Sequence, residues 1–262
     1  MSGGHAGDLY IPLIEERDRM KAILTGASGV IGKGILSALT EMGYDVVCCC
    51  RSQSQDLLDL VDNAKCAGRN TQLEFLDLRD DDSIQNCLSR IDVWCGRKVD
   101  ALINCAGMAH GGLVNMTKMR DLKEVFQVNY FGQLMLTQTV SRYMQRNGGG
   151  RIINIASHAG IRADRGTLAY ATSKAALIHA TRIMSAEYAS SSIAVNAIAP
   201  SVVASDMADQ MDKTALKRLL DMTNTGKLVE VEEVVSVVKF LLREAPLSFT
   251  GEVLKVDGSV SL

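Results

Sequence analysis

The stretch Met20–Gly32, MKAILTGASGVIG, joins an apolar run to three glycines and leads into the amphipathic segment KGILSALTEMG. This order predicts a β-strand, a glycine-rich turn and an α-helix. Gly26 would permit a tight turn, Gly29 would let the backbone approach a pyrophosphate, and Gly32 would allow close packing of helix on strand. Phosphate oxygens would face the exposed amides at the helix start. The run YDVVCCCR from Tyr44 reads as the next strand of a βαβ unit, so the stretch predicts nucleotide binding.

Further apolar runs, separated by helix-like segments, continue this alternation along the chain. The longest helical patterns run from about Met119 to Gln145 and from about Thr172 to Ser190. Alternating strands and helices are typical of a parallel sheet, so we predict an α/β domain over residues 20–262, preceded by a short extension over residues 1–19. The predicted strands cover residues 21–25, 45–50, 72–76, 100–105, 151–156, 193–198 and 252–256.

The composition indicates one well-packed domain. The chain has 262 residues, of which 47% are hydrophobic, a mean hydropathy of +0.08 and a formal net charge of −2 at pH 7. A chain of this length buries a large core, and the small negative charge argues against nucleic acid as a partner. Apolar runs are too short for a membrane-spanning helix, and the N-terminal segment lacks the apolar core of a signal peptide. We therefore expect a cytoplasmic protein with no membrane partner.

Cysteine and histidine positions predict neither a disulfide framework nor a metal site. Three of the seven cysteines, Cys48 to Cys50, are consecutive in a predicted buried strand, where thiols behave as small apolar groups. The four histidines form no ligand pattern. His110 and His158 are candidates for lining a substrate cleft, but we interpret both as loop residues without a catalytic role.

A serine, a tyrosine and a lysine in the segment IASHAGIRADRGTLAYATSK form a candidate proton-transfer site. Tyr170 and Lys174 are four residues apart, so on a helix they share one face. A positive charge beside a phenol favours the phenolate and brings a pKa of ordinarily about 10 closer to the working range. The hydroxyl of Ser157 would hold a substrate oxygen. Because the Tyr-x-x-x-Lys spacing is also common by chance, the surrounding motifs decide its meaning.

From Met20 to the C-terminus, the order of the motifs resembles the short-chain dehydrogenase/reductase family. The chain departs from the usual pattern in its glycine spacing, which is G-x-x-G-x-x-G rather than G-x-x-x-G-x-G, and in having Ser201 and Ser205 where glycine and threonine are common. The matching motifs are TGASGVIG from Thr25 to Gly32, FLDL around Asp77, INCAG from Ile103 to Gly107, VNYFG with Asn129, the set of Ser157, Tyr170 and Lys174, NAIAP ending at Pro200, and GEVLKVDGS.

The resemblance implies a single-domain Rossmann fold. Its sheet would be doubly wound and parallel, with about seven strands in the order 3-2-1-4-5-6-7, helices on both faces and a cleft at the carboxyl ends of the strands. The polar segment over residues 201–227 would close over the substrate and be mobile. The two long helices would pair across a two-fold axis in a dimer or tetramer, through apolar and small residues that include Met135, Leu136, Ala175, Ala176 and Ala180.

The resemblance also implies the chemistry, which is hydride transfer between a nicotinamide and a carbonyl or alcohol without a metal. Tyr170 would give the proton to the developing alkoxide, and Ser157 would donate a hydrogen bond to the same oxygen. Lys174 would contact the nicotinamide ribose and lower the pKa of Tyr170. Asn129 would hold a water that connects Lys174 to solvent, although this asparagine alone is also explained as a helix-kink residue.

The end of the second strand predicts which dinucleotide binds. Enzymes that use NAD place a carboxylate there, whereas this chain has Cys50 followed by Arg51 and Ser52. A guanidinium pairs with a 2′-phosphate that a carboxylate would repel, so we predict NADP(H), the alternative being a merely solvated Arg51. The resemblance places Asp77 beside the adenine and Asn104 to Gly107 beside its ribose. The full set of predicted cofactor contacts is Gly26, Ser28, Gly29, Val30, Ile31, Arg51, Ser52, Asp77, Leu78, Asn104, Ala106, Gly107, Tyr170, Lys174, Pro200, Val203 and Ser205.

Among family members, the whole chain resembles the 3-oxoacyl-[acyl-carrier-protein] reductases, which are NADPH-dependent and commonly homotetrameric. These usually carry arginines before the fifth strand and at the end of the tyrosine-bearing helix, as a patch for an acidic carrier protein. This chain has Arg146 and Arg151 at the first place but Ser190 to Ser192 at the second. A reductase or dehydrogenase of a free alcohol, sugar or polyketide-type ketone is therefore a close alternative. A dinucleotide-binding redox sensor is a lesser one, because such proteins usually lose the tyrosine or the lysine.

Overall fold

The structure is a computed structural model that describes residues 19–204, 217, 220–221 and 223–259. Short apolar stretches rich in β-branched residues form the strands, which are buried on both faces as in other parallel sheets. The strands are β1 (Lys21–Thr25), β2 (Asp45–Cys50), β3 (Thr71–Phe75), β4 (Ala101–Asn104), β5 (Gly150–Ile155), β6 (Ile193–Pro200) and β7 (Val253–Val256).

These strands make one parallel sheet in the predicted order, β3-β2-β1-β4-β5-β6-β7. The order reverses between β1 and β4, whose register pairs Ala22 with Ala101 and Thr25 with Asn104. Because all strand pairs are parallel, the carboxyl ends of the seven strands lie along one edge of the sheet. The predicted fold class is therefore confirmed, and the strand bounds differ from the predicted ones by at most two residues.

Helices cover both faces of the sheet. Helices α1, α2 and α7 pack their apolar residues into the core of one face, and α3, α5 and α6 pack into the core of the other. No helix among the described residues is long and apolar enough to cross a membrane. The α-helices whose bounds the structure describes are α1 (Val30–Glu41), α2 (Gln55–Cys66), α3 (Asp81–Cys95), α4 (Met119–Phe126), α5 (Gly132–Arg146), α6 (Leu168–Tyr188) and α7 (Val231–Arg243).

The two long helical patterns differ in detail from their prediction. A π-helical turn, Gln127–Phe131, separates α4 from α5, so the first pattern is not one regular helix. An apolar period averaged over many residues does not reveal one inserted residue.

Helix α6 begins at Leu168, four residues before the predicted start. Its entry is set by Gly166, whose φ is +84° and whose carbonyl accepts a hydrogen bond from the Gly112 amide at 2.8 Å.

The three consecutive cysteines lie where they were predicted, inside the core. Cys48 and Cys49 are fully buried, and Cys50 is almost so. All seven cysteines are free thiols, and Cys66 is exposed. Burial raises the pKa of the Cys50 thiol, which keeps it neutral and apolar in character at the end of β2.

Candidate active site

The glycine turn between β1 and α1 requires two of its glycines for steric reasons. Gly26 has a φ of +70°, and a Cβ there would lie 2.7 Å from the backbone of Ala106. A Cβ at Gly32 would lie 2.1 Å from the carbonyl oxygen of Gly26. The close approach at Gly32 is therefore to the turn itself, whereas the sequence pattern predicted an approach to the strand.

Gly29 has a different role, because it leaves space on the solvent side. It is exposed, and a Cβ there would contact only the Gly26 carbonyl, at 3.4 Å. Gly29 is the N-cap of α1, which has no side-chain cap and no acidic residue in its first turn. The amides of the first turn, at Val30 and Ile31, are thus open to an anion, with Ser28 half-buried beside them. This uncapped helix start fits a pyrophosphate.

The predicted serine, tyrosine and lysine come together at the carboxyl end of β5. Ser157 follows the strand in extended conformation, is 9% exposed, and its Oγ accepts a hydrogen bond from the Ala159 amide at 3.2 Å. Tyr170 lies in the first turn of α6 and bonds to the Ser157 side chain. Burial raises the pKa of Tyr170, while the hydrogen bond with Ser157 acts to lower it. The net shift is upward, so the phenol is held protonated at neutral pH.

Lys174 lies one turn after Tyr170 and is 3% exposed. Its Nζ donates a hydrogen bond to the Ile155 carbonyl at 2.7 Å. Burial lowers the pKa of Lys174 to about 8, because a charged ammonium is disfavoured away from water. The expectation that Lys174 lowers the pKa of Tyr170 is not met in this structure. Desolvation of the phenol is the largest influence on that pKa, and the ammonium is directed to the strand.

Asn129 lies in the π-helical turn and is fully buried. Its Nδ2 donates hydrogen bonds to Ser173 Oγ at 2.9 Å and to the Met108 carbonyl at 3.0 Å, and its Oδ1 accepts one from the Met108 amide at 2.8 Å. A Cβ built on Gly107 would lie 3.4 Å from both Asn129 Oδ1 and Lys174 Nζ. Asn129 therefore joins the loop after β4 to α6, and Gly107 leaves open the space between the asparagine and the lysine.

The loop after β4 is held by buried polar groups. Thr25 Oγ1 accepts hydrogen bonds from the amides of Cys105 at 3.0 Å and Ala106 at 3.1 Å. The Asn104 side chain, predicted to lie beside the ribose, is 1% exposed and donates to Asn154 Oδ1 at 2.9 Å and Thr137 Oγ1 at 3.0 Å. The side-chain amide of Asn104 is thus used in hydrogen bonds within the fold. A cofactor at this loop would meet the exposed backbone of Gly107 instead.

The residues predicted to contact the adenosine lie at the ends of β2 and β3. Arg51 and Ser52 are exposed, and Arg51 has no ion pair among the described residues. Asp77 is bound by Arg79, whose Nη2 lies 2.6 Å from Asp77 Oδ2. The hydrogen bond with Arg79, helped by the charge of Arg51, lowers the pKa of Asp77. Leu78, which follows, is buried in the core.

The remaining predicted cofactor contacts follow β6. Pro200 is the last residue of that strand and is buried. Val203 is 8% exposed and forms an isolated bridge with Val229. Ser205 and most of the segment that was expected to close over the substrate lie outside the described residues.

His158, which we interpreted as a loop residue without a catalytic role, is buried. It opens a short 3₁₀ helix, His158–Gly160, and its Nδ1 lies 3.0 Å from Oδ2 of Asp257. Asp257 directly follows β7, so it reaches the same edge of the sheet as Ser157. The sequence contains no local signal for this pair, since its members lie far apart in the chain. His110 is half-buried, with Nε2 3.7 Å from Asp121 Oδ2.

Arg151 does not belong to a surface patch. Its Nη1 donates to the Leu241 carbonyl at 2.8 Å and its Nη2 to the Ala245 carbonyl at 2.7 Å, at the end of α7. It also lies at the amino end of β5, on the edge of the sheet opposite Ser157. Only the exposed Arg146 remains of the predicted pair of arginines before β5.

Comparison with known proteins gives the same family throughout. The model of the family described as short chain dehydrogenase matches residues 20–216. The 3-oxoacyl-[acyl-carrier-protein] reductase of Thermotoga maritima is 31% identical over 91% of this chain and 96% of its own length. The human protein of the same description is 30% identical over 94% of this chain and 99% of its own length.

Solved structures agree with this result. A 7α-hydroxysteroid dehydrogenase in complex with NADH and 7-oxo glycochenodeoxycholic acid superposes with a TM-score of 0.85 at 28% identity, covering 92% of this chain and 94% of that one. A variant of the actinorhodin polyketide ketoreductase with NADPH gives a TM-score of 0.84 at 27% identity, covering 93% and 98%. The chain therefore belongs to the short-chain dehydrogenase family, whose members are oxidoreductases that bind a nicotinamide dinucleotide.

Proposed function

We propose that this protein is an NADP(H)-dependent reductase of carbonyl groups, acting on 3-oxoacyl thioesters. The observation that carries the proposal is the meeting of the Ser157 and Tyr170 side chains, one turn from the buried Lys174. These groups lie at the same edge of the sheet as the uncapped start of α1. A dinucleotide whose pyrophosphate binds at the start of α1 would therefore lie along the edge that carries Tyr170, the proton donor.

A bound nicotinamide supplies the hydride in this chemistry. Tyr170 gives its phenolic proton to the oxygen of the reduced carbonyl, and Ser157 donates a hydrogen bond to the same oxygen. The raised pKa of Tyr170 keeps the phenol protonated, which favours proton donation and hence reduction. Lys174, with a pKa of about 8, is mostly protonated at neutral pH and supplies positive charge beneath the site. Asn129 and Ser173 hold the loop and the helix that flank it.

The preference for NADP(H) is supported by the charges at the ends of β2 and β3. Arg51 is exposed and unpaired within the described residues, so its guanidinium is free to bind a 2′-phosphate. Asp77, on which the charge of Arg51 acts, could repel that phosphate, but its carboxylate is bound by Arg79. No carboxylate stands at Cys50, where it would bind both ribose hydroxyls of NAD.

The thioester substrate is supported by the relatives, two of which are described as 3-oxoacyl-[acyl-carrier-protein] reductases. A second candidate function is reduction of a free ketone without a carrier protein. It is favoured because the Arg151 guanidinium binds backbone carbonyls of its own chain instead of facing a carrier. Likeness to a polyketide ketoreductase and a hydroxysteroid dehydrogenase supports that candidate as well. The two candidate functions differ in whether attachment of the substrate to an acidic carrier protein raises kcat/KM.

We also propose that the chain self-associates through its long helices, but through fewer of their residues than we predicted from the sequence. Leu136 and Ala180 belong to the core of the monomer and are not available for an interface. Met135, Ala175 and Ala176 are half-buried, and the neighbouring Phe131 is 49% exposed. We expect a dimer or tetramer by light scattering, with Phe131→Glu shifting it toward the monomer.

The test is an assay of NADPH oxidation with a 3-oxoacyl thioester, free and carrier-bound, against a panel of free ketones. Tyr170→Phe should lower kcat by about 10²–10⁴-fold while NADPH still binds, because only the proton donor is lost. The matched control is Tyr188→Phe on the same helix, whose hydroxyl accepts a hydrogen bond from Ser141 Oγ at 3.2 Å. The control should keep wild-type kcat.

Three results would contradict parts of this proposal. If Tyr170→Phe retained more than a few percent of the wild-type rate, the proton donor would be wrongly assigned. If ketones were reduced and thioesters were not, the substrate would be wrong. If the wild-type protein bound NADPH tightly but oxidised it with no carbonyl, the protein would be a redox-responsive binding protein.

A further inference from the structure

His158 is a buried titratable group that the proposed proton transfer does not use. It directly follows Ser157, and its Nδ1 lies 3.0 Å from Asp257 Oδ2, the two side chains being 7% and 5% exposed. The two atoms do not form a hydrogen bond of good geometry, so they meet as a close polar contact. Of the two ring nitrogens, Nδ1 is the one that faces the carboxylate, and an N–H is favoured over a lone pair in that position.

Asp257 is held independently of the histidine. It follows the last residue of β7, and its Oδ1 accepts a hydrogen bond from the Ser259 amide at 3.0 Å. Lys255 Nζ lies 3.9 Å from Oδ2 and is the cation that faces this carboxylate among the described residues. The carboxylate is therefore a fixed anchor at the end of β7, to which His158 attaches.

The segment from Ser157 to Gly160 packs closely against α6. A Cβ at Gly160 would lie 2.8 Å from the Ala175 amide nitrogen and from the Lys174 carbonyl carbon. The His158 carbonyl accepts hydrogen bonds from the amides of Ile161 at 2.8 Å and Arg162 at 3.0 Å. The segment from Ser157 to Gly160 is thus fixed between the helix that carries Tyr170 and the end of β7.

Stability alone does not account for this pair. Both ring nitrogens of His158 and Oδ2 of Asp257 are buried without a hydrogen bond among the described residues, and burying polar groups in this way lowers stability. Replacing buried ion pairs by apolar residues is often neutral or stabilising. What the pair does provide is a fixed distance between the serine segment and β7.

We propose that His158 is a positioning residue, which through Asp257 sets the place of the Ser157 hydroxyl relative to Tyr170. The kinetic consequence rests on the proposed carbonyl reduction, whereas the attachment itself is a property of the fold. Groups that orient the ligands of a metal typically change activity by about 10–100-fold, and we expect a similar effect from a residue that orients a catalytic hydroxyl. A displacement of about 1 Å at a reacting group has an effect of the same order.

Three replacements of His158 separate positioning from packing. Asparagine places an amide N–H near the position of Nδ1, glutamine places it near Nε2, and leucine has neither. His158→Asn should keep kcat within about threefold of wild type. His158→Leu and His158→Gln should lower kcat by about 10–100-fold with the KM for NADPH unchanged, because the dinucleotide loop lies elsewhere. Melting temperatures measured on the same samples identify any variant that is merely unfolded.

Amide hydrogen exchange provides a second measurement that needs no activity. Peptides covering residues 157–162 should exchange faster in His158→Leu and His158→Gln than in wild type or His158→Asn. Equal kcat and equal exchange in all three variants would overturn the proposal, as would a lowered melting temperature with unchanged kcat. If wild-type protein reduced no carbonyl, the proposed function would fail, and exchange alone would decide whether His158 holds this segment.

Discussion

The Lys174 ammonium donates a hydrogen bond to the carbonyl oxygen of Ile155, 2.7 Å away, and so joins the tyrosine-bearing helix α6 to the last residue of β5. Ile155 lies two residues before Ser157, so the same bond ties the lysine to the segment that presents the serine. The bond satisfies the strand carbonyl but leaves a charged group in a buried place, and this lowers the pKa of the lysine to about 8.

The buried lysine should make stability depend on pH. Below pH 8 both folded and unfolded chains bind the proton, and the full penalty of burying the charge is present. Between about pH 8 and 10.5 the folded chain releases the proton before the unfolded chain does, so the free energy of unfolding rises. The rise should be on the order of 3 kcal/mol, at about 1.4 kcal/mol per pKa unit.

Lys174→Met should lack this rise, which urea unfolding at pH 7 and pH 10.5 will measure. The difference in unfolding free energy between wild type and variant should therefore change by the same amount over this interval. The exposed Lys65 gives a matched control, since Lys65→Met should leave the pH dependence of wild type intact. Parallel curves for wild type and Lys174→Met would show that the ammonium is not destabilised by burial.

Two glycines of the dinucleotide turn should differ in how strongly substitution by alanine lowers stability. Gly32→Ala places a methyl 2.1 Å from the Gly26 carbonyl, so the turn must move, at a cost of about 1–3 kcal/mol and with loss of NADPH binding. Gly29→Ala should change stability by less than about 0.5 kcal/mol, because Gly29 has a φ of −73° and an open surrounding. Thermal melts and fluorescence titration with NADPH measure both. Equal destabilisation by the two substitutions would contradict this account of the turn.

Arg51→Ala should change cofactor choice without changing the fold. Losing one charged contact to a 2′-phosphate corresponds to about 1.5–3 kcal/mol, or roughly a 10–150-fold weaker Kd for NADPH. The Kd for NADH should stay within twofold, because NADH lacks that phosphate. Lys65→Ala, which removes an exposed cation from α2, is the control. An equal effect of Arg51→Ala on both dinucleotides would place Arg51 outside the phosphate site.

Arg151→Met should lower stability and leave carrier recognition unchanged. The guanidinium binds two carbonyls at the end of α7, and such charged hydrogen bonds contribute about 1.5–3 kcal/mol. The ratio of kcat/KM for a carrier-bound thioester to that for a small thioester should equal the wild-type ratio. Arg146→Ala, which removes the exposed arginine, is the comparison for carrier binding. A lowered ratio in Arg151→Met would show that Arg151 does take part in binding the carrier protein.

Local sequence patterns determined most of the fold. Apolar runs of four to eight residues separated by amphipathic segments can bury their side chains only in a sheet covered on both faces, so strand positions were predicted within two residues. Spacing also determined that Tyr170 and Lys174 share a helix face, because four residues make about one turn. The π-helical turn at Asn129 agrees with the alternative of a helix-kink asparagine, but periodicity did not predict it, since a single added residue hardly alters an average period.

The sequence by itself thus determined a parallel α/β sheet, its glycine turn and the serine, tyrosine and lysine near one another. Only the tertiary structure decided what each of these polar groups contacts: Lys174 contacts Ile155, Arg151 the end of α7, and His158 Asp257. It also decided that burial raises the pKa of Tyr170. The physical reason is that these partners lie on different elements, far apart in the chain. Desolvation likewise depends on everything packed around a group, which no spacing in the sequence records.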